Sequence, residues 1–241
     1  MRLVAGTLPQ SGAQLSNIVQ HPSGNFGTRK DGAVPSLIVL HYTAMHSAQD
    51  ALAVLCNPDT EVSAHYLIDR QGCVFQMVQE ADRAWHAGAG AWGEIRDVNS
   101  HSIGIELCND GFSPFAAPLM DALEVLLREI MARWTIPPVG VIGHSDCSPG
   151  RKIDPGARFD WRRLELQGLA FRPSFAADPG GEADALLRAA GYTADAPVDV
   201  RLQAFRQRHC PGVTGPVGAQ DRALLQALAT QAGIDAAGGA A

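Results

Sequence analysis

The sequence predicts an α/β domain of mixed strand order, followed by a small module of three helices. Short apolar runs rich in β-branched residues alternate with longer runs whose apolar residues recur at helical spacing, which is typical of helices packed on a sheet. The chain has 241 residues, enough for one medium domain and one small one. Apolar residues make up 46% of it and charged residues 18%, which excludes the composition of a disordered chain.

The first part of the chain supplies the predicted sheet and its covering helices. Apolar runs too short for a helix predict strands at 36–40, 66–68, 103–107 and 139–143. Leucines at helical spacing predict helices at 47–56 and 118–134. Pro137 and Pro138 are expected to end the second helix before the last strand begins.

The composition changes near Phe171, where a stretch rich in Pro, Gly and Ala has no periodic apolar pattern and predicts a linker. Apolar spacing beyond it predicts three helices, at 183–190, 198–208 and 220–232. The predicted division is a domain of residues 1–170, a linker of 171–180, a three-helix domain of 181–235 and a flexible tail of 236–241.

The charge balance excludes two classes of partner. The formal net charge is −6, so the broad positive field that attracts nucleic acid or an anionic membrane surface is missing. No apolar run approaches the length of about 18 residues that a membrane span requires. We therefore expect neither nucleic acid nor a membrane span, and the sequence leaves the oligomeric state open.

The cysteines bear on the compartment. There are five of them, in no CxxC pair, and an odd number cannot all be joined in intramolecular disulfides. Reduced thiols and an N-terminus without the pattern of a signal peptide favour the cytoplasm. A periplasmic or outer-membrane-associated protein is the alternative, if an export signal has been removed.

Two histidines and one aspartate are candidate metal ligands. His41 and His144 each directly follow an apolar strand, and Asp154 lies ten residues after His144 in a loop. Two imidazoles and a carboxylate are a standard zinc set in catalytic sites, with the fourth position open for water. The ligands are about a hundred residues apart and fit no short metal motif, so a hydrogen-bonded structural role for each histidine stays open.

Four long runs then carry a family resemblance: LIVLHYTAM, SAHYLIDRQGCVFQMVQEADRAWHAG, SIGIELCN and IGHSDCSPGRKIDPG. In this order they resemble the zinc-dependent N-acetylmuramoyl-L-alanine amidases of the amidase-2 class, which are related to the peptidoglycan recognition proteins. The resemblance covers roughly residues 35–161. It implies a central mixed β-sheet with helices on its faces, and one zinc ion per chain in a groove.

The resemblance also implies roles for single residues. His41, His144 and Asp154 match the zinc ligands of the family, and Glu106 matches the carboxylate that acts as general base. On a strand, Glu106 points away from its apolar neighbours and can face the groove, although a solvated strand glutamate is the simpler alternative. Cys147 lies where relatives often carry an aliphatic residue, and its thiolate is a less favoured candidate ligand.

Four further residues complete the predicted site. Lys152 matches a lysine that stabilises the oxyanion, although without the motif an exposed loop charge would be the better interpretation. We expect His86 to contact substrate and His65 to lie behind the ligands or in the groove, over plain core roles. Trp92 is a candidate wall for sugar or peptide, although large aromatic residues more often fill cores.

The implied activity is hydrolysis of the amide bond between N-acetylmuramic acid, in its ordinary or 1,6-anhydro form, and L-alanine of the stem peptide, in peptidoglycan or muropeptides. A rival is a recognition protein of the same fold that binds muropeptides without cutting them. The presence of every ligand and catalytic candidate speaks against that rival. A peptidase that cuts within the stem peptide has similar zinc chemistry but lacks this order of motifs.

The C-terminal module is similar to the three-helix peptidoglycan-binding domains often appended to such amidases. It departs from their pattern at Thr214 and Gly215, where an Asp-Gly turn is usual. We expect it to bind the cell wall, and a structural or interdomain role is the alternative.

Overall fold

The computed structural model describes residues 18–172 and 177–237, with the side chains described up to residue 230. The strands are β1 (Ile18–Gln20), β2 (Phe26–Gly27), β3 (Leu37–Tyr42), β4 (Tyr66–Ile68), β5 (Val74–Gln76), β6 (Arg83–Ala84), β7 (Ser102–Leu107) and β8 (Val141–Gly143). The helices are α1 (Ala48–Leu55), α2 (Val98–His101), α3 (Ala117–Trp134), α4 (His144–Cys147), α5 (Trp161–Leu166), α6 (Ala183–Ala189), α7 (Val198–His209) and α8 (Ala219–Ala237). Short 3-10 turns cover Lys30–Gly32, Pro58–Thr60 and Pro138–Gly140.

Six strands form one mixed sheet in the order β1-β5-β4-β7-β3-β8. The pairs β4 with β7, β7 with β3, and β3 with β8 are parallel, whereas β4 and β5 are antiparallel. Strands β2 and β6 pair separately as a short antiparallel ribbon. The prediction of an α/β fold with a mixed central sheet is confirmed.

The predicted elements of the first domain are present with shifted ends. The strand predicted at 139–143 begins two residues later, because a 3-10 turn occupies Pro138–Gly140. Strands β1 and β5 were not predicted, because each has only two apolar residues before a glutamine, whereas the predicted β4 has three. The short helices α2, α4 and α5, of four to six residues, were not predicted either.

The two faces of the sheet bury different sets of residues. One face packs against α1 and α3, and alternate residues of β3, including Ile38 and Leu40, enter that core. Leu37 and Val39 point the other way, into a second apolar cluster that includes residues of α6, α7 and α8. His41 follows in the same alternation, so it lies on this second face.

The C-terminal helices pack directly on that second face. Phe171, at the start of the predicted linker, is buried in the same cluster, and its ring meets that of His209 on α7. Residues 173–176 of the predicted linker and 238–241 of the predicted tail lie outside the described residues. No helix in the described ranges is both long enough and apolar enough to cross a membrane.

A buried ion pair joins the two parts of the chain. Arg208 on α7 donates to a carboxylate oxygen of Asp146 on α4 at 2.9 Å, and Tyr192 donates to the other oxygen at 2.8 Å. The Arg208 guanidinium also lies 4.0 Å over the ring of Trp161. Since Asp146 and Arg208 are both buried, neither charge has water as an alternative partner.

Replacing Arg208 by Leu should lower the free energy of unfolding by about 3–5 kcal/mol, because it leaves the buried Asp146 carboxylate without its cation. Urea denaturation of the full chain measures this loss. The control is Arg188→Leu, which removes an exposed pair with Asp184 on α6 and should cost at most about 1 kcal/mol. Equal losses in the two variants would show that the buried pair does not hold the module in place.

Candidate active site

Two adjacent parallel strands bring the first two candidate residues together. β3 and β7 pair so that the Cα of His41 is opposite that of Glu106. The neighbours Leu40 and Ile105 are fully buried in the core under α1 and α3. His41 and Glu106 therefore project from the opposite face of the sheet, as the alternation along a strand requires.

The other two ligand candidates come from the loop after β8. His144 is the first residue of α4, directly after that strand. The Ser145 amide donates to the Asp154 carbonyl at 2.9 Å, which folds the loop back on itself. The Gly143 amide donates to the Asp146 carboxylate at 2.8 Å and fixes the start of the helix. These contacts place the His144 and Asp154 side chains beside His41.

Three side-chain atoms converge to form the candidate metal site. His41 Nδ1 lies 3.0 Å from His144 Nδ1 and 2.9 Å from Asp154 Oδ2, and the latter two atoms are 3.0 Å apart. In a tetrahedral zinc site with bonds of about 2.0–2.1 Å, the ligand atoms are about 3.3 Å apart. The observed triangle therefore fits one face of such a site with a small outward movement. The structure brings together the three residues that the sequence predicted as ligands.

The remaining nitrogen of each histidine is occupied by protein. His144 Nε2 donates to the Ala87 carbonyl at 2.9 Å, and His41 Nε2 lies 3.0 Å from His86 Nδ1. Hydrogen bonds of this kind fix the tautomer of a ligating imidazole and its orientation. They leave both Nδ1 atoms free to bind a metal.

Burial sets the charge state of the donor set. Burial, followed by the charge of His144, lowers the pKa of His41 to about 4. For Asp154, burial acts to raise the pKa, but the adjacent imidazoles of His144 and His41 outweigh it and hold the pKa far below its usual range. A neutral imidazole and an ionised carboxylate are the forms that bind zinc.

Cys147 is not part of the donor group. Its side chain is fully buried, and Sγ donates to the His144 carbonyl at 3.4 Å. Burial raises the pKa of the Cys147 thiol to about 12, which disfavours the thiolate that a metal would need.

Glu106 is a half-buried residue whose carboxyl group faces the same cavity. Its Oε2 atom is buried without a hydrogen-bond partner in the described part of the chain. Burial, and then the charge of Asp154, raise the pKa of Glu106 from 4.5 to about 8, although Lys152 opposes this shift. A carboxyl group that titrates near neutral pH is suited to take up and return a proton.

These groups line one cavity of about 560 Å³, large enough for a small organic ligand. Its wall combines the polar candidates with apolar side chains: His41, Tyr42, Thr43, Ala44, Met45, Ala51, Val54, Leu55, Val62, Ser63, Trp85, His86, Glu106, His144, Arg151, Lys152, Ile153 and Asp154. Lys152 and Ile153 are exposed at its edge. The predicted Lys152 therefore shares the cavity with Glu106.

The three residues that the sequence predicts to bind substrate lie in three different places. His86 lines the cavity and also contacts His41. His65 is fully buried behind it, where its Nδ1 accepts from the Gly104 amide at 3.0 Å. Trp92 lies elsewhere, buried with its ring against Tyr192 of the C-terminal module at a centroid distance of 4.9 Å.

Sequence reasoning did not single out Tyr42 and Arg151 as wall residues of the cavity. Tyr42 directly follows His41, so its position next to a ligand was the available signal. Arg151 donates to the carbonyls of Ala87 and Ala89 and to the Ser148 hydroxyl, so it ties the loop before Lys152 to the neighbouring chain segment. No motif in the sequence indicated these backbone contacts.

Comparisons with known proteins identify the family of the chain. Residues 30–157 match the family model described as N-acetylmuramoyl-L-alanine amidase. The amidase AmiD of Escherichia coli (strain K12) is 37% identical over 192 residues, which cover 71% of this chain and 68% of AmiD. The 1,6-anhydro-N-acetylmuramyl-L-alanine amidase AmpD of Haemophilus influenzae is 35% identical over 167 residues, covering 62% of this chain and 91% of AmpD.

Solved structures show the same architecture over most of the chain. The complex of E. coli AmiD with anhydro-N-acetylmuramic acid-L-Ala-D-gamma-Glu-L-Lys has a TM-score of 0.74 and 31% identity, covering 84% of this chain and 92% of that one. AmpDh3 of Pseudomonas aeruginosa has a TM-score of 0.73 and 28% identity, covering 94% of this chain and 99% of its own. The similarity to AmpDh3 thus extends well beyond residues 30–157.

The pKa of Glu106 predicts how the stability of the metal-free protein varies with pH. A folded pKa of about 8, against the usual 4.5, means that the folded state binds the extra proton between these values, so stability falls as pH rises through that range. Glu106→Gln removes this dependence. The variant should gain stability relative to the wild type from pH 5 to pH 8, by at most about 1.4 kcal/mol per pH unit.

Urea denaturation of chelator-treated protein at pH 5 and pH 8 measures this gain. Glu182→Gln, at an exposed position before α6, is the matched control and should show the same small effect at both pH values. A Glu106→Gln variant whose advantage does not change with pH would contradict the raised pKa.

Proposed function

The chain belongs to the N-acetylmuramoyl-L-alanine amidase family, and from this premise we propose that it cuts muropeptides with a zinc ion held by His41, His144 and Asp154. The bond cut is the amide between N-acetylmuramic acid and L-alanine of the stem peptide. The observation that carries the proposal is the convergence of three ligand atoms within 3.0 Å of one another, in a cavity that also contains the Glu106 carboxyl group.

The donor set suits zinc. Two nitrogens and one carboxylate oxygen match the ligand types of catalytic zinc sites, which keep a further position open. A zinc ion bound there would polarise the amide carbonyl and lower the pKa of a water molecule toward neutrality. The hydrogen bonds made by the Nε2 atoms of both histidines support this assignment, because they leave the Nδ1 lone pairs directed at one point.

Glu106 is proposed as the proton carrier. The attacking water adds its oxygen to the amide carbonyl carbon and gives a proton to the Glu106 carboxylate. The C–N bond then breaks, and Glu106 returns that proton to the departing L-alanine nitrogen, which would otherwise leave as an unstable anion. Burial raises the pKa of Glu106 and so favours its holding of that proton, whereas a cation bound beside it would favour the carboxylate that accepts the proton.

Lys152 is proposed to stabilise the negative charge that develops on the carbonyl oxygen. Its side chain is at the exposed edge of the same cavity, where an ammonium group can approach the substrate. The neighbouring Arg151 already donates hydrogen bonds to the Ala87 and Ala89 carbonyls. Lys152 is thus the better candidate of this neighbouring pair of cations.

The proposed substrate is a muropeptide fragment or a peptidoglycan strand. The AmiD and AmpDh3 structures that resemble this chain include complexes with anhydromuramoyl peptides, which supports a ligand of the same class. Apolar side chains of the cavity, among them Trp85, Val62 and Ile153, offer surfaces for a sugar ring or an alanine methyl group. His86 also lines this wall, and a contact with substrate from its cavity side stays a prediction.

The C-terminal helices are proposed to be part of the amidase unit. Their apolar residues share a cluster with Leu37 and Val39 of β3, and Gln207 on α7 donates to the Ile153 carbonyl at 2.6 Å, next to Asp154. These contacts favour a structural role. Binding of the cell wall by the exposed surface of the module stays a prediction.

For the compartment, we propose the cytoplasm. All five cysteines are free thiols, which supports a reducing environment.

The purified protein should contain one zinc ion per chain, and His144→Ala should reduce the zinc content to near zero, since only two ligands would remain. Elemental analysis after dialysis measures the content. His21→Ala, at the exposed sheet edge, is the control and should keep the metal. A wild-type protein without zinc, or a His144→Ala variant that retains it, would overturn the metal assignment.

Glu106→Ala should keep zinc and fold but lose about 10²–10⁴-fold in kcat, because it removes the proton carrier and not a ligand. Release of L-alanine-terminated peptide from a soluble anhydromuramoyl peptide measures the turnover. Lys152→Met keeps the length of the side chain without its charge and should cause a smaller loss. A Glu106→Ala variant with wild-type turnover would remove Glu106 from the mechanism, and a wild type without turnover would favour the non-catalytic recognition protein.

A further inference from the structure

We propose that His86 is a positioning residue for the metal site: its imidazole accepts a hydrogen bond from His41 and, held by Ser102, orients that ligand. The inference rests on the proposed metal site and goes beyond it. The evidence is a chain of hydrogen bonds. The group at the end farthest from the metal site determines which atom donates in each bond.

The direction follows from a backbone carbonyl. The Ser102 hydroxyl lies 2.6 Å from the Val98 carbonyl oxygen, which can only accept, so the hydroxyl donates there. The Ser102 oxygen lies 3.2 Å from His86 Nε2. Because its hydrogen is already used, this oxygen can only accept a hydrogen bond from the ring. His86 therefore carries its hydrogen on Nε2 and presents a lone pair at Nδ1.

The lone pair at His86 Nδ1 determines the tautomer of His41. The two rings meet through His86 Nδ1 and His41 Nε2 at 3.0 Å, so His41 must donate from Nε2. The hydrogen of the neutral His41 ring is then on Nε2, and its lone pair is at Nδ1, the atom that faces His144 and Asp154. The chain from Val98 thus selects the tautomer that can bind a metal through Nδ1.

The position of the His86 ring is fixed by a glycine beneath it. A Cβ atom built on Gly104 of β7 would lie 2.4 Å from the His86 ring carbon Cγ, so any side chain there would displace the imidazole. The ring of His65 lies beside it at a centroid distance of 5.8 Å. His86 therefore packs against the strand that also carries Glu106.

The backbone of the same segment supports the second histidine ligand. The Asn99 side-chain oxygen accepts from the amides of His86 and Ala87, at 3.1 and 2.8 Å. The Ala87 carbonyl in turn accepts from His144 Nε2 at 2.9 Å. One short segment, held by a buried asparagine, therefore contacts the Nε2 atom of both histidine ligands.

The test measures the zinc affinity of the full chain by competition with a chelator. His86→Leu removes the acceptor and should weaken zinc binding about 10–100-fold, the usual effect of losing a hydrogen-bond partner of a metal ligand. His86→Asn removes the same imidazole but places a carboxamide oxygen near the position of Nδ1, and should retain most of the affinity. Because both variants lose the ring, a purely structural role would weaken zinc binding equally in both.

A second variant leaves His86 in place. Gly104→Ala forces the imidazole away from His41 and should also weaken zinc binding, and the urea midpoint of the chelator-treated protein measures separately what overpacking costs the fold. Wild-type zinc affinity in His86→Leu, or an equal loss in His86→Asn, would overturn the inference while leaving the proposed function intact. A wild-type chain that binds no zinc would overturn both.

Discussion

The parallel register of β3 and β7 is the constraint on which the site depends. Side chains alternate between the faces of a strand, so the pairing that sets Val39 opposite Gly104 also sets His41 opposite Glu106. A shift of β7 by one residue would turn Glu106 into the core under α1 and α3 and bring Ile105 to the cavity. Since Ile105 and its alternate neighbours on β7 are fully buried, the apolar core itself holds the polar groups in place.

Sequence patterns predicted the central sheet and the ligand set, because both produce local patterns along the chain. His41 lies in the last two residues of β3 and His144 directly follows β8, and a strand end is where a polar side chain can reach a cleft. Strands β1 and β5 left no such signal, since each has only two apolar residues before a glutamine and the two strands depend on pairing with each other and with β4. The location of Trp92 could not be predicted either, because an aromatic residue suits both a cavity wall and an apolar core.

The relation of the C-terminal helices to the rest of the chain depends on contacts that sequence spacing does not reveal. The Pro- and Gly-rich stretch after Phe171 predicted a linker between two domains. Two of the three predicted helices of the module match the observed bounds to within one residue, whereas the third, predicted at 220–232, runs to Ala237 as α8. What spacing could not show is that Asp146 and Arg208, 62 positions apart, meet in a buried pair. Composition reports how flexible a segment is, whereas the burial of a charge depends on what folds against it.

The carboxylate of Asp146 also limits how this chain can be recombined in evolution or by design. It is two residues from His144 and receives hydrogen bonds from Gly143 within the loop and from Tyr192 and Arg208 in the C-terminal helices. A fusion that kept the first 170 residues and exchanged the helices would leave an anion buried beside the ligand loop. An exchange of α7 would therefore also require replacing the Asp146 carboxylate or supplying it with a new cation.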